Sequence, residues 1–207
     1  DEPGLFRHII PIATNASHSP WGIAFNAAQR QAIENDASWK ERHDAAGLEG
    51  MKTARSMALL SYRNYDAYAQ GQSENDVTKL TDFKSESYQR YQGEKLAKRF
   101  NAFSYYFLSK SMDAHHLGRG RKSVESALAS IRANTLVIGI KSDILFPVRE
   151  QEFVAGHIPG ASYAEIDSAY GHDGFLLEYA QLQHLIEKFL SQTPNRATAG
   201  KAAVQIS

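Results

Sequence analysis

Hydrophobic and polar positions along the chain change period twice. Residues 7–13, RHIIPIA, are a short apolar run whose isoleucines favour a strand over a helix. Pro11 has no N–H to give a ladder, so it suits only the end of such a strand. TNASHSP (14–20) is a loop by its turn residues. From Trp21 to Ile33 the pattern is helical, carried by Ile23, Ala27, Gln29 and Ala32. It stays helical over 48–68, where Met51, Ala54, Met57, Ala58 and Tyr62 recur three and four residues apart on one face. A polar connection follows at 71–82. Residues 85–115 then predict two helices, rich in aromatics from Tyr88 to Phe107, with a junction near Gly93.

The second change comes at NTLVIGIKSD (134–143). This near-continuous β-branched run is the pattern of a strand covered on both faces in a parallel sheet. SYAEIDS (162–168) alternates and predicts another strand, after a helical connector near 148–157. In 176–190, Leu177, Ala180, Leu185, Ile186 and Phe189 fall at helical spacing. The tail, 193–207, has little to bury and is expected to fray. Strands alternating with helices predict an α/β fold with a mostly parallel sheet. The helical block between two neighbouring strands predicts an inserted cap. The expected division is a partial core of 1–20 and 126–192, with a helical cap over 21–125.

Composition narrows the function classes. The chain has 207 residues, 43% hydrophobic and 22% charged, which suits a packed globular unit. Its 23 basic residues balance 23 acidic ones, so no global charge points to nucleic acid or an anionic membrane. No apolar run approaches the roughly 20 residues needed to span a bilayer. The start, DEPGLFRHII, lacks the basic and apolar regions of a signal peptide. There is no cysteine, which removes thiolate nucleophiles and Cys-based zinc sites and fits a reducing cytoplasm. His115 and His116 are adjacent and diverge on a helix, and no HExxH occurs, so no metal site is expected. GRGRK (118–122) reads as a solvated basic turn.

In open α/β sheets, ligand sites lie beyond the carboxyl ends of the strands. Asp143 follows LVIGIKS, and His172 follows AEIDSAY by a short loop within SAYGHDGFLLE (168–178). An aspartate beside a histidine fixes its tautomer and stabilises the imidazolium that forms when it takes a proton. Each residue alone has a plainer reading, Asp143 as a turn or cap residue and His172 as a loop histidine. Together, in the order acid then histidine, they match the Ser…Asp…His order of α/β-hydrolases. The serine elbow G-x-S-x-G is absent: Ser17, Ser19 and Ser61 lack the small flanking residues its strained turn requires.

Five blocks carry a family resemblance: SPWGIAFNAAQRQAI (19–33), ARSMALLSYR (54–63), SYQRYQGEKLAKRFNAFSYYFLSKSMD (87–113), LVIGIKSDILFP (136–147) and YGHDGFLLE (170–178). They resemble the homoserine O-acetyltransferase family of the α/β-hydrolase fold, in its C-terminal portion with the helical cap. WGIAFNAAQRQAI and YQGEKLAKRFNAFSYYFL are the most specific. The resemblance implies a two-step transfer of acetyl from acetyl-CoA, a co-substrate and not a bound cofactor, to the γ-hydroxyl of L-homoserine in methionine biosynthesis. The serine would lie upstream of this chain. It implies His172 as general base and acid, Asp143 as its orienting partner, Arg55 on the substrate carboxylate, Tyr62 at the pocket and Asp173 facing the ammonium. It also implies a cytoplasmic homodimer joined through the cap.

The residues by themselves leave alternatives open. Arg55 equally suits a snorkelling surface side chain, Tyr62 core packing, and Asp173 a helix cap. Asn101, Tyr105 and Tyr106 are assigned to cap packing. Serine in place of homoserine, or succinyl in place of acetyl, stays open, because one methylene is worth only about 1–3 kcal/mol in a pocket. A related serine acyltransferase or esterase is the second reading, and a fragment that only self-associates through its cap is the third. The chain alone is expected to be inactive, since triad and oxyanion hole act as a unit.

Overall fold

The computed structural model describes residues 5–41 and 43–192; the tail expected to fray, 193–207, lies outside the described residues. Three parallel strands, β1 (His8–Ile9), β2 (Asn134–Ile140) and β3 (Ser162–Ile166), pair in the order β1-β2-β3. Every residue of β2 after Asn134 is buried. Leu136, Ile138 and Ile140 pack with Ala13, Ile166 and Leu182 in one cluster. Val137 packs with Ala16, Leu128, Val154 and Ile158 in another. Alternate side chains of a strand point to opposite faces, so two apolar clusters demand a continuous apolar run.

β1 is shorter than the run 7–13 predicts. The ladder resumes beyond it, with Ile138 donating its N–H to the Pro11 carbonyl and Ala13 donating to the Ile138 carbonyl, both at 2.9 Å. The proline ring contributes no donor of its own, and the regular strand stops short of it.

Between β1 and β2 run α1 (Pro20–Glu34), α2 (Leu48–Tyr62), α3 (Tyr65–Gln72), α4 (Lys84–Ala97), α5 (Ala102–Asp113) and α6 (Val124–Ala129). Ser19 opens α1 by accepting the Gly22 N–H at 3.2 Å, with Pro20 in the first turn. The single helix predicted over 48–68 is two helices. Asn64 is extended and its side chain accepts the Ala67 N–H at 3.0 Å, a local bond that restarts the helix. The junction within 85–115 lies at 98–101 rather than at Gly93, because Asn101 caps α5 through the Ser104 N–H at 2.8 Å. Gly93 instead lets α4 approach α2: a Cβ there would stand 3.0 Å from the Lys52 Cβ and carbonyl oxygen. α6, six residues long, is too short to show a period and has no counterpart in the sequence reading.

Helix α2 starts at Gly47 without a side-chain cap of its own. Asp36, from the loop after α1, supplies the acceptor by taking the Gly50 N–H at 2.8 Å. Ile33, Met51, Ala54, Leu96 and Ala102, backed by Trp39 and Tyr105, form the core of this helical block. After β2 come α7 (Val148–His157), β3, a 3-10 helix (Gly171–Leu176) and α8 (Tyr179–Gln192). The helix predicted over 176–190 starts later, at Tyr179, because the 3-10 helix runs to Leu176 and Leu177 follows its end; α8 packs on the sheet through Leu182, Leu185, Ile186 and Phe189.

Candidate active site

Strands β2 and β3 are parallel neighbours, so the loops after Ile140 and Ile166 emerge on the same side. The two loops are tied together. Lys141 donates its N–H to the Ile166 carbonyl at 3.2 Å, and the Ser142 hydroxyl donates to the Ser168 carbonyl at 2.6 Å. From this rim Asp143 and His172 meet: the imidazole Nδ1 lies 2.7 Å from Asp143 Oδ2. The Asp143 side chain is fully buried, and its other oxygen accepts the N–H groups of Leu145 at 2.8 Å and Phe146 at 2.9 Å. Asp143 therefore serves two contacts at once, one oxygen organising a turn and the other bonding the histidine. A carboxylate so enclosed needs these donors. Nδ1 as donor to it leaves Nε2 with the lone pair that can accept a proton.

His172 sits between two glycines for steric reasons. Gly171 adopts φ 61, and a Cβ there would lie 3.0 Å from the Arg63 carbonyl carbon. At Gly174 a Cβ would lie 2.7 Å from that of Ser168. The imidazole is flanked by Phe146 and Phe175, with ring centres 5.0 and 5.2 Å away, and retains some solvent access.

From the helical block, α2 brings Arg55 and Tyr62 to one face, with the guanidinium carbon 5.5 Å from the phenol ring centre. Tyr62 also reaches the dyad, its ring centre 6.0 Å from that of His172. Arg55 and Tyr62 line a cavity of about 270 Å³ together with Gln29, Arg99, Tyr105 and Ser109. Among the described residues neither the Arg55 guanidinium nor the Tyr62 hydroxyl has a hydrogen-bond partner. Burial pushes the Tyr62 phenol up, against the opposing pull of Arg55, so it stays a neutral donor at neutral pH. Tyr105 is likewise pushed up by burial, and its hydroxyl donates to Gln29 Oε1 at 2.5 Å. Asn101 caps α5 and Tyr106 bonds Glu34, but Tyr105 forms part of the cavity wall as well as packing.

Asp173 is engaged from an unforeseen quarter. Its Oδ2 accepts a hydrogen bond from Arg63 Nε at 2.8 Å, inside a part-buried ion pair. Behind the cavity, Arg30 and Asp113 form an ion pair at 2.6 Å that joins α1 to α5, with Asn26 donating to Asp113 at 2.9 Å. Sequence reasoning gave no site role to Arg63, Gln29 or Arg99, and it read Tyr105 as packing alone. A signal existed for the last: Tyr105, Leu108, Ser109 and Met112 recur at helical spacing on α5, and all four line the cavity. Arg63 and Arg99 follow the ends of α2 and α4, where no periodicity reaches. Among the described residues no group of three His, Asp or Glu is placed to hold a metal ion, and no helix is long and apolar enough to cross a membrane.

The chain is 49% identical over 183 residues to a homoserine O-acetyltransferase from Cyclobacterium marinum, covering 88% of this chain and 52% of that protein. It therefore spans about half the length of the curated relatives it matches. Among solved structures, a homoserine O-acetyltransferase from Bacillus anthracis superimposes with a TM-score of 0.82 at 20% identity, covering 92% of this chain and 55% of that one. Esterase E22 superimposes with a TM-score of 0.79 at 19% identity, covering 91% and 55%. No family model matches the chain.

Proposed function

As a homologue of homoserine O-acetyltransferases with the α/β-hydrolase fold, this chain, we propose, carries the base, its orienting acid and the acceptor pocket of a homoserine O-acyltransferase. The observation that carries this reading is the 2.7 Å His172–Asp143 bond at the ends of two parallel strands, beside a cavity lined by Arg55 and Tyr62. A hydroxyl is a weak nucleophile near neutral pH until an adjacent imidazole takes its proton. His172 would do this twice: first for a serine supplied by a segment outside this chain, which takes acetyl from acetyl-CoA, then for the γ-hydroxyl of L-homoserine. Asp143 holds the ring and stabilises the imidazolium at each stage.

The acceptor's carboxylate would pair with Arg55, whose planar fork matches it, and Tyr62 would donate beside it. Asp173 would face the acceptor ammonium. In this reading 21–125 is the cap, and 1–20 with 126–192 belongs to the hydrolase core. Exposed apolar groups on α5, among them Phe107 and Leu108, support self-association through the cap. The reaction belongs to methionine biosynthesis in the cytoplasm.

The test is acyl transfer by the longer protein this reading requires, followed as free CoA released from acetyl-CoA. Release that depends on L-homoserine, with O-acetylhomoserine as product, supports it. Release at the same rate with and without homoserine makes the protein a hydrolase and overturns it. Replacing homoserine by serine, or acetyl-CoA by succinyl-CoA, in the same assay sets the substrate pair by kcat/KM.

A further inference from the structure

The segment bearing His172 is pinned to the end of α2 by contacts that the proposed chemistry leaves unexplained. Arg63, the residue after α2, donates from Nε to Asp173 Oδ2 at 2.8 Å. Its guanidinium carbon also lies 5.8 Å from the ring centre of Tyr170. Between these two contacts Gly171 lies against the chain, so close that a Cβ would stand 3.0 Å from the Arg63 carbonyl carbon and 3.2 Å from the Tyr62 carbonyl oxygen. Side-chain exposure of 28% and 18% for Arg63 and Asp173 takes this ion pair out of the class of solvated surface pairs that contribute little. The helix so clamped is the one that presents Arg55 and Tyr62 to the cavity, and the clamped loop presents His172.

From this arrangement we infer that Arg63 is a positioning residue for the acceptor alcohol, acting through Asp173. By binding one carboxylate oxygen it leaves the other for the acceptor's ammonium. The inference rests on the acyl-transfer reading: the ligand class is a small amino alcohol carrying an ammonium, and Arg63 governs how tightly that ammonium is held.

The test compares R63Q, R63K, D173N and the double variant R63Q/D173N in the longer protein, with KM measured separately for L-homoserine and acetyl-CoA. R63Q is expected to raise the homoserine KM about tenfold while the acetyl-CoA KM moves less than about twofold, a split that general loosening of the fold does not give. R63K, which keeps the charge and loses the Nε donor, is expected to fall between wild type and R63Q, and it carries the test should R63Q fail to fold. In the double variant the homoserine KM is expected to match that of D173N alone, because residues acting through one contact are not additive. A homoserine KM within about twofold of wild type in both Arg63 variants overturns the inference, as do effects that multiply in the double variant. Absence of homoserine-dependent CoA release in the wild type is a separate result, visible before any variant is made, and it removes the acyl-transfer reading and this inference together.

Discussion

Asp143→Asn separates the two jobs that the carboxylate performs. The asparagine oxygen can still accept the Leu145 and Phe146 N–H groups, now bonded to Oδ1 at 2.8 and 2.9 Å, so the turn is kept. Its amide nitrogen then replaces Oδ2, which now sits 2.7 Å from His172 Nδ1. An amide N–H facing Nδ1 forces that nitrogen to accept, which puts the ring proton on Nε2, the atom that the proposed reaction needs free to take the alcohol's proton. The lost charge adds to the wrong tautomer. For charge centres about 4 Å apart, at an effective dielectric of about 20, the carboxylate–imidazolium attraction is about 4 kcal/mol, or roughly a thousandfold in rate. The tautomer penalty takes the expected loss of kcat towards about 10⁴-fold, the size of loss that an aspartate-to-asparagine change causes in a Ser-His-Asp triad. The assay is homoserine-dependent CoA release by the longer protein, with Tm and circular dichroism to show that the turn survives. A D143N enzyme within about tenfold of wild-type kcat, with unchanged Tm, would refute the assignment of Asp143.

Two further expectations concern the platform beneath the site. Gly50→Ala places a Cβ 2.4 Å from the Ala32 carbonyl oxygen, a backbone atom that cannot swing aside, whereas Gly71 on exposed α3 has nothing within 4 Å. Chemical denaturation should therefore show G50A destabilised by about 3 kcal/mol, at the upper end of overpacking, and G71A stabilised by about 0.5–1 kcal/mol through helix propensity. Asp36 is held below its usual 3.8, chiefly by the Gly50 N–H and also by Ser38. A carboxyl lowered on folding stabilises above its unfolded value and loses that contribution as pH falls through the folded one. D36N should then cost about 1 kcal/mol at pH 7 by Tm, with the deficit closing as pH drops below about 4; a deficit that grows in acid would contradict the role of Asp36 at α2.

What the sequence made legible follows from which forces are local. β2 was readable because burial on both faces demands an unbroken β-branched run, and α7 matched its expected 148–157 limits. Asp143 and His172 could be paired because parallel neighbouring strands deliver their loops to one rim, a consequence of topology alone. Helix breaks were misplaced where a side-chain cap outweighed periodicity. Asn64 and Asn101 each trade a bond to a nearby N–H for helix continuation, and Gly93 signalled a close crossing rather than a break. The Arg63–Asp173 pair was illegible, since its members lie 110 residues apart and neither sits in a periodic pattern. Tyr105 was read as packing because an aromatic face on a helix looks the same whether it lines a core or a cavity.

The central claim is that His172 takes the proton from each attacking alcohol in turn. Radiolabelled acetyl-CoA mixed with the longer protein tests this directly, with label on the protein followed before and after L-homoserine is added. In the wild type, protein-bound label should appear at once and pass to O-acetylhomoserine when the acceptor arrives. In H172A, whose imidazole is gone, neither loading nor discharge should occur on that timescale. Loading and discharge in H172A at wild-type rates would mean that the bond between residues 143 and 172 is architectural and that the base lies elsewhere.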